Sequence, residues 1–322
     1  MNPIQETLSA LTPGAAQSFR NMTFVPLFAA AGEGEPGYLT LDEALARQVA
    51  RVTEVSERGS VPELRFVNEA EAPVLLVDGE ELVGAKQNRV LNVTILVGGK
   101  KEVVIPVSCV EQGRWSYKSK HFAAARRTLF AKARAKKMAR VSESLRTTGT
   151  YRSHQGEIWE DVAAKLHSMK VESPSFAMAD AYAANDASIA DYVGAFKPAP
   201  GQVGAAFAVN GELVGMELFD SAKTFAKVMD KIVSSYAMDA IEPAPPAEAP
   251  LPVEEAVRRF IADMQAAATR EYEAAGEGKD VRLSGDGLAG GALVAGERVV
   301  HLAAFRVPQE DDRVPRAAPY GG

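Results

Sequence analysis

The stretch that decides the fold is "NRVLNVTILVGGKKEVVIPVSCVE", which runs from Asn88 to Glu111. It is rich in β-branched residues and is divided by Gly98 and Gly99. This composition favours two extended strands with a glycine turn between them. We therefore predict a hairpin closed at Gly98–Gly99.

The surrounding residues, 20–117, have the same character. Short β-branched runs such as "MTFVPLF", "ELRFVNEA" and "APVLLVDG" are separated by Gly, Pro, Asn and Asp, which predicts several short strands. One helix interrupts them in "TLDEALARQV", where Thr40 and Glu43 have the spacing of a capping box. Many short strands with few helices favour a barrel or a sandwich.

Residues 118–241 are predicted to form a helical segment followed by a hairpin and a helix. "GEIWEDVAAKLHSM" places apolar residues on one helical face, and Ser153 is its candidate N-cap. Asn210–Gly211 predicts a type I′ hairpin turn. The helix after this hairpin begins at Asp220 or Ser221, since either side chain can cap it.

The last third of the chain is predicted to contain a proline-rich linker at 242–252 and then a helix plus a hairpin over 253–307. The helix is expected to end at Gly276. The tail, 308–322, has little to bury and is predicted to be disordered, and residues 1–19 form an N-terminal arm. The predicted class is α+β, with an N-terminal β-rich barrel or sandwich packed with helices and C-terminal hairpin-helix elements.

Composition narrows the functional classes. The chain has 322 residues, 47% of them hydrophobic, and a net charge of −6, which argues against a general nucleic-acid binder. Its one cysteine excludes an intrachain disulfide, and no apolar run approaches the length of a membrane span. The first residues lack the pattern of a signal peptide, so the expected location is the cytoplasm. The four histidines are scattered, and we expect no metal and no cofactor.

The polar run Lys86–Arg89 is the first candidate site. If the segment is extended, Gln87 and Arg89 point inward along an apolar row, while Lys86 and Asn88 point outward. In the later strand, Cys109 and Glu111 share one face in the same way. We therefore predict that Arg89 pairs with Glu111 at the rim of the β-region. Such a pair could fix strand register or belong to a polar pocket.

The residues that follow this strand extend the candidate site. Arg114 and Trp115 could clamp a phosphate and stack a base. Gln155 lies at a predicted helix N-terminus, where free N–H groups attract anions. Cys109 is flanked by valines and has no histidine near it in sequence, which favours a core position over a nucleophile.

A basic segment, 118–140, contains nine Lys or Arg and no acidic residue. It could meet phosphates or an acidic partner. The alternative is a solvated helix face balanced by acids elsewhere, and the scarcity of aromatic residues favours this alternative.

Several of these motifs together resemble one family. These motifs are "DGEELVGAKQNR", "IPVSCVEQGRW", "SHQGEIW", "NGELVGMELF" and "VVHLAAF". Together they are similar to the bacterial ARPP family, the ARG-and-rhodanese-phosphatase-superfamily-associated proteins. The resemblance extends from about Arg20 to Val307. The family-like polar positions are Glu80, Glu81, Lys86, Gln87, Asn88, Arg89, Cys109, Glu111, Arg114, Trp115, Gln155 and Trp159.

The family name reflects association with ADP-ribosylglycohydrolases and phosphatase-like proteins. The resemblance therefore implies a role in the metabolism of NAD, ADP-ribose or phosphorylated compounds. The expected function is therefore binding or hydrolytic processing of a nucleotide-like ligand. Glu111 is the candidate catalytic residue, and the candidate ligand-binding residues are Lys86, Gln87, Arg89, Arg114, Trp115 and Gln155. The alternative is a non-catalytic interaction module or homo-oligomer, in which unpaired strand edges bind a protein partner.

Overall fold

The computed structural model describes residues 2–29, 34–243 and 252–307. These residues form eight helices: α1 (Pro3–Ala10), α2 (Leu41–Ala46), α3 (Ala131–Thr148), α4 (Gln155–Ser168), α5 (Met178–Ala184), α6 (Asp186–Ala195), α7 (Ala222–Ile241) and α8 (Val253–Ala266). They also form 18 strands: β1 (Thr12–Pro13), β2 (Gln17–Phe19), β3 (Met22–Phe28), β4 (Leu39–Thr40), β5 (Ala50–Glu54), β6 (Glu63–Asn68), β7 (Val74–Leu76), β8 (Glu80–Gly84), β9 (Arg89–Leu91), β10 (Ile95–Val97), β11 (Glu102–Cys109), β12 (Phe122–Thr128), β13 (Gln202–Val209), β14 (Glu212–Phe219), β15 (Ala268–Glu273), β16 (Lys279–Gly285), β17 (Leu288–Ala295) and β18 (Arg298–Arg306).

The largest sheet has nine strands in the order β1-β3-β13-β14-β18-β17-β16-β15, and β2 also pairs with β3. Successive side chains along its strands point to opposite faces. One face packs against α1 and α8, through residues such as Leu8 and Phe260. The other face packs against α3 and α7, where Phe207 stacks on Tyr236 at 3.9 Å between ring centroids.

A second β-region is built from a six-stranded sheet, β12-β8-β9-β11-β6-β5, and a three-stranded sheet, β10-β7-β4. The six-stranded sheet curls into a half-barrel. Helix α3 joins the two β-regions, because Met138 belongs to the core of the large sheet and Val141 to the core of the half-barrel. The architecture is α+β, as the sequence predicts.

Local signals at turns and caps are confirmed. Thr40 and Glu43 form a capping box at the start of α2. Asn210 and Gly211 join β13 to β14 with φ angles of 54° and 89°, the left-handed values that a type I′ turn requires. Ser221 caps α7 through the N–H of Lys223. In each case a few adjacent residues determine the geometry.

The predicted hairpin at Gly98–Gly99 is wrong. Strand β10 pairs with β7, whereas β11 pairs with β6 and β9. Glycine is required at Gly99 for a different reason, because a side chain there would collide with the backbone carbonyl of Glu71. The two glycines therefore allow a close approach between chain segments and do not close a ladder.

Several predicted boundaries also differ from the structure. Helix α8 ends at Ala266 and not at Gly276, because residues 268–273 form β15 against β16. The N-cap of α4 is His154, which accepts a hydrogen bond from Glu157 N–H, and not Ser153. Strand β12 lies inside the basic segment. Most of the proline-rich linker and all of the predicted tail lie outside the described residues.

Candidate functional site

Most of the predicted site residues meet where β11 ends and its following loop begins. Glu111, two residues beyond β11, is 1% exposed. Arg114 holds its carboxylate with Nε–Oε1 at 2.8 Å and Nη2–Oε2 at 2.5 Å, and Asn88 N–H donates to Oε2. Burial alone would raise the pKa of Glu111, but Arg114 and the Asn88 N–H outweigh it and lower this pKa below its usual value. Glu111 is therefore held as an anion.

The predicted pair between Arg89 and Glu111 is not formed. Arg89 donates from Nε to Val61 O at 3.2 Å and from Nη1 to Asn88 O at 3.4 Å. Its Nη2 has no hydrogen-bond partner among the described residues. The prediction extended strand alternation too far, because β11 ends at Cys109 and the chain turns before Glu111.

Lys86 and Asn88 are buried and do not point outward as predicted, since they are 8% and 4% exposed. The chain between β8 and β9 is not extended there, so side chains do not alternate. Lys86 Nζ donates to Glu57 O and Arg58 O, both at 2.7 Å. Gln87 Nε2 donates to Glu111 O at 3.0 Å. These polar groups bind loop carbonyls and hold the loops in place.

Gln155 lies at the start of α4 and completes the end of β11. Its amide accepts from Cys109 N–H and donates to Cys109 O, each at 2.8 Å, so it replaces a missing strand partner. Cys109 itself is fully buried, and burial raises the pKa of its thiol. This agrees with the core position that the sequence favours for Cys109.

The accessible surface beside the site is a groove of about 660 Å³ that is lined by Tyr117. We call it the Trp115 groove because Trp115 and Tyr117 both lie next to the Lys86 ammonium group, although Trp115 is not among its lining residues. Trp115 and Tyr117 are 47% and 54% exposed, and Lys86 Nζ lies 5.2 Å and 5.1 Å from the centroids of their rings. The groove is lined by Thr53, Glu54, Val55, Ser56, Glu57, Arg65, Tyr117, Lys118, Ser119 and Lys120. Its lining combines the exposed ring of Tyr117 with three side-chain cations and two carboxylates, and the exposed ring of Trp115 lies outside the lining.

A second cluster, which we call the interior ion network, was not identified from sequence. Arg134 on α3 lies between two acids, with Nη1 2.5 Å from Glu217 Oε1 and Nη2 3.3 Å from Asp78 Oδ2. Lys137, one helical turn later, donates to Asp78. His301 Nδ1 lies 2.7 Å from Thr94 Oγ1. The network joins α3 and the large sheet to the loops after β7 and before β10.

Burial and pairing shift the pKa values of this network. Desolvation alone would raise the pKa of Glu217, but Arg134 and His301 outweigh it and lower this pKa to about 2. For Lys137 desolvation dominates and lowers the pKa to about 8, although Asp78 opposes it. Arg134 and Lys137 are 0% and 1% exposed, so these two cations of the basic segment do not lie on a solvated face.

A cavity of about 10 Å³ lies against the network and is lined in part by Asp280, Arg282 and His301. This is roughly the volume that one water molecule occupies. The sequence feature that could have indicated the network is a pair of cations, Arg134 and Lys137, one helical turn apart in a segment rich in alanine.

Among the described residues, no group of His, Cys, Asp or Glu could hold a metal ion. No helix in that part of the chain is long and apolar enough to cross a membrane.

Comparisons with known proteins give a single assignment. Residues 10–305 match the ARG and Rhodanese-Phosphatase-superfamily-associated Protein domain. No curated protein and no solved structure matches the chain. Because the match covers nearly all of the described residues, including both β-regions and the β11 loop, the chain belongs to this domain family.

Proposed function

We propose that the chain binds a phosphorylated, nucleotide-like ligand of the ADP-ribose or NAD class in the Trp115 groove. The observation that carries the proposal is the exposed pair Trp115 and Tyr117 beside a groove of about 660 Å³. This volume lies within the range of about 300–1,000 Å³ that is typical of small-molecule sites. A base stacked on one exposed ring contributes about 1–3 kcal/mol without requiring a particular base.

The second observation that supports the proposal is the set of cations that line the groove. Lys118 is 64% exposed, and its Nζ lies 3.5 Å from Glu111 Oε1. Lys120 and Arg65 line the same groove. Lys86 and Arg114 already donate to loop carbonyls, so the phosphates are expected to meet the exposed lysines. This differs from the sequence-based expectation, in which Lys86, Arg89 and Arg114 themselves bind the ligand.

Binding is better supported than hydrolysis. A general base must be able to accept a proton at working pH, and Glu111 is an anion whose pKa is lowered by Arg114 and Asn88. Both carboxylate oxygens already accept hydrogen bonds. A catalytic role for Glu111 therefore requires that the ligand first draw Arg114 away from it.

The two tryptophans allow a direct test of stacking. In Trp159→Phe, Trp115 is the sole tryptophan, and we expect ADP-ribose to quench its fluorescence. The substitution removes at most a weak contact with the buried Cys109 thiol, because Trp159 Nε1 has no partner of good hydrogen-bond geometry among the described residues. Trp115→Phe, which retains only Trp159, is the matched control and should give no quenching. Trp115→Ala should weaken binding by roughly 5- to 150-fold. Equal quenching in both single-tryptophan proteins would reject stacking on Trp115.

A second candidate function is self-association through a strand edge. The six-stranded sheet ends at β12 and β5, and both strands line one open groove of about 910 Å³. Among the described residues, the sheet therefore has two edge strands that face one seam, and such edges accept an additional strand. For this candidate function we propose a second copy of the chain as the partner.

Light scattering of the purified chain tests this candidate. Ala123 is exposed on β12 and lines the seam, and a lysine on an edge strand opposes strand addition. We expect the wild type to dimerise and Ala123→Lys to be monomeric. Val104→Lys adds the same charge at an exposed residue of β11, which is neither an edge strand of the sheet order nor part of the seam lining, and should leave the dimer intact. A monomeric wild type, or equal effects of the two lysines, rejects the seam as an interface.

A further inference from the structure

A separate pocket lies between α1 and the N-terminal end of α7, where β14 ends. It has a volume of about 350 Å³, and its walls come from α1, residues 34–36, the end of β14 and the start of β18. The apolar part of its lining consists of Pro3, Ala10, Leu11, Ala29, Pro36, Val203, Leu218, Phe219 and Val299. A pocket of this size that combines apolar walls with polar groups is typical of a small-molecule site. None of its residues lines the Trp115 groove.

Asp220 is the polar centre of this pocket. Its side chain is 5% exposed. Oδ1 accepts a hydrogen bond from the hydroxyl of Tyr38 at 2.5 Å, and this hydroxyl lies 3.0 Å from Thr224 Oγ1. Oδ2 makes no hydrogen bond among the described residues. A carboxylate oxygen buried without a donor costs free energy, so this oxygen is ready to accept one.

The group nearest to this oxygen is easily displaced. Arg298 Nη1 lies 3.4 Å from Asp220 Oδ2, without the geometry of a hydrogen bond, and the Arg298 side chain is 59% exposed. Because Arg298 is exposed and makes no hydrogen bond to Asp220, water or a ligand can take its place at Oδ2. Burial raises the pKa of Asp220, and Tyr38 and Arg298 oppose the shift. A ligand cation that reaches Oδ2 would therefore replace a weak contact with a buried one.

The charged residues that line the pocket favour a ligand of one sign of charge. Four carboxylates and one guanidinium line the pocket, from Glu6, Glu35, Asp220, Glu297 and Arg298. An excess of carboxylates in a partly enclosed site attracts cations and repels anions. The apolar walls require that the rest of the ligand be hydrophobic.

We propose that this pocket binds a small organic ammonium ion with an apolar body. The ammonium group donates to Asp220 Oδ2 in place of Arg298, and the apolar body lies against Leu11, Leu218 and Val299. Tyr38 acts as a positioning residue, because its hydroxyl fixes the carboxylate through Oδ1.

The test compares three probes that share one ring: benzylammonium, benzyl alcohol and benzoate. By isothermal titration calorimetry at pH 7, we expect benzylammonium to bind the full chain at least tenfold more tightly than benzyl alcohol, and benzoate not to bind. Equal affinity for the cation and the alcohol, or tighter binding of benzoate, would overturn the proposal.

Two variants then locate the site. Asp220→Asn should abolish the preference for the cation while keeping an oxygen for Tyr38. Arg298→Ala should tighten benzylammonium binding, because it removes the competing guanidinium, and its surface position leaves folding intact. The matched control is the exposed pair Arg306 and Asp263, where Arg306→Ala and Asp263→Asn should change nothing. Weaker binding in Arg298→Ala, or unchanged binding in a folded Asp220→Asn, would show that Asp220 is not the receptor.

Discussion

Replacing Arg134 by alanine is expected to lower the free energy of unfolding by about 3–5 kcal/mol, because the change leaves two buried carboxylates without their shared partner. Arg134 is 0% exposed and contacts both Glu217 and Asp78. Lys137 would still pair with Asp78, but Glu217 would keep only two contacts of 3.5 Å among the described residues, one with the Tyr236 hydroxyl and one with His301 Nε2. Urea unfolding at pH 7, followed by circular dichroism, measures the effect.

The matched control is Lys136→Ala, two positions further along α3. Lys136 is 45% exposed, and its partner Asp161 is 14% exposed, so this pair is much less buried than that of Arg134 with Glu217. Exposed pairs typically contribute about 0–1 kcal/mol, so the control should stay close to the wild type. A loss below about 1 kcal/mol in Arg134→Ala would mean that the interior ion network does not hold the two β-regions together.

Acidification is expected to lower the free energy of unfolding by roughly 3 kcal/mol through the protonation of Glu217 alone. Its pKa is about 2 in the folded chain, compared with an ordinary value of 4.5. Because the folded-state value is the lower one, the ionised carboxylate stabilises the folded chain above pH 4.5. This contribution is lost as the pH falls from 4.5 through 2. The measurement is the free energy of unfolding at several pH values between 6 and 2.

Glu217→Gln separates this effect from that of the other carboxylates. Glutamine keeps an oxygen for Arg134 but does not titrate. We expect the variant to be less stable than the wild type at pH 6, and the difference between the two to shrink as the pH falls to 2. Two parallel curves would contradict the lowered pKa of Glu217.

The parts of the fold that the sequence predicts well depend on neighbouring residues. Asn210–Gly211 selects its turn through two adjacent left-handed residues, and Thr40 caps α2 through a residue three positions away. Strand β15 was missed because "ATREYE" has a helical composition and becomes a strand only by pairing with β16. Long-range pairing thus overrides local propensity there.

The sequence predicts which residues belong to the candidate site, but it does not predict which of them contact each other. Glu111, Arg114 and Gln87 do meet, yet Arg89 is excluded from the ion pair because the chain turns after Cys109. No local pattern in the sequence indicates which acidic residues pair with Arg134 in the interior ion network. Arg134 is 56 positions from Asp78 and 83 from Glu217, and only the packing of α3 between the β-regions brings them together.

The most direct test of ligand binding at the Trp115 groove is calorimetric titration of ADP-ribose into the wild type and into a Lys118→Ala, Lys120→Ala double variant. Lys197→Ala, an exposed lysine outside the groove, is the control. We predict saturable binding to the wild type and the control that weakens with added salt, and affinity at least tenfold lower in the double variant. No binding to the wild type, or equal affinity in all three proteins, would contradict the proposed function.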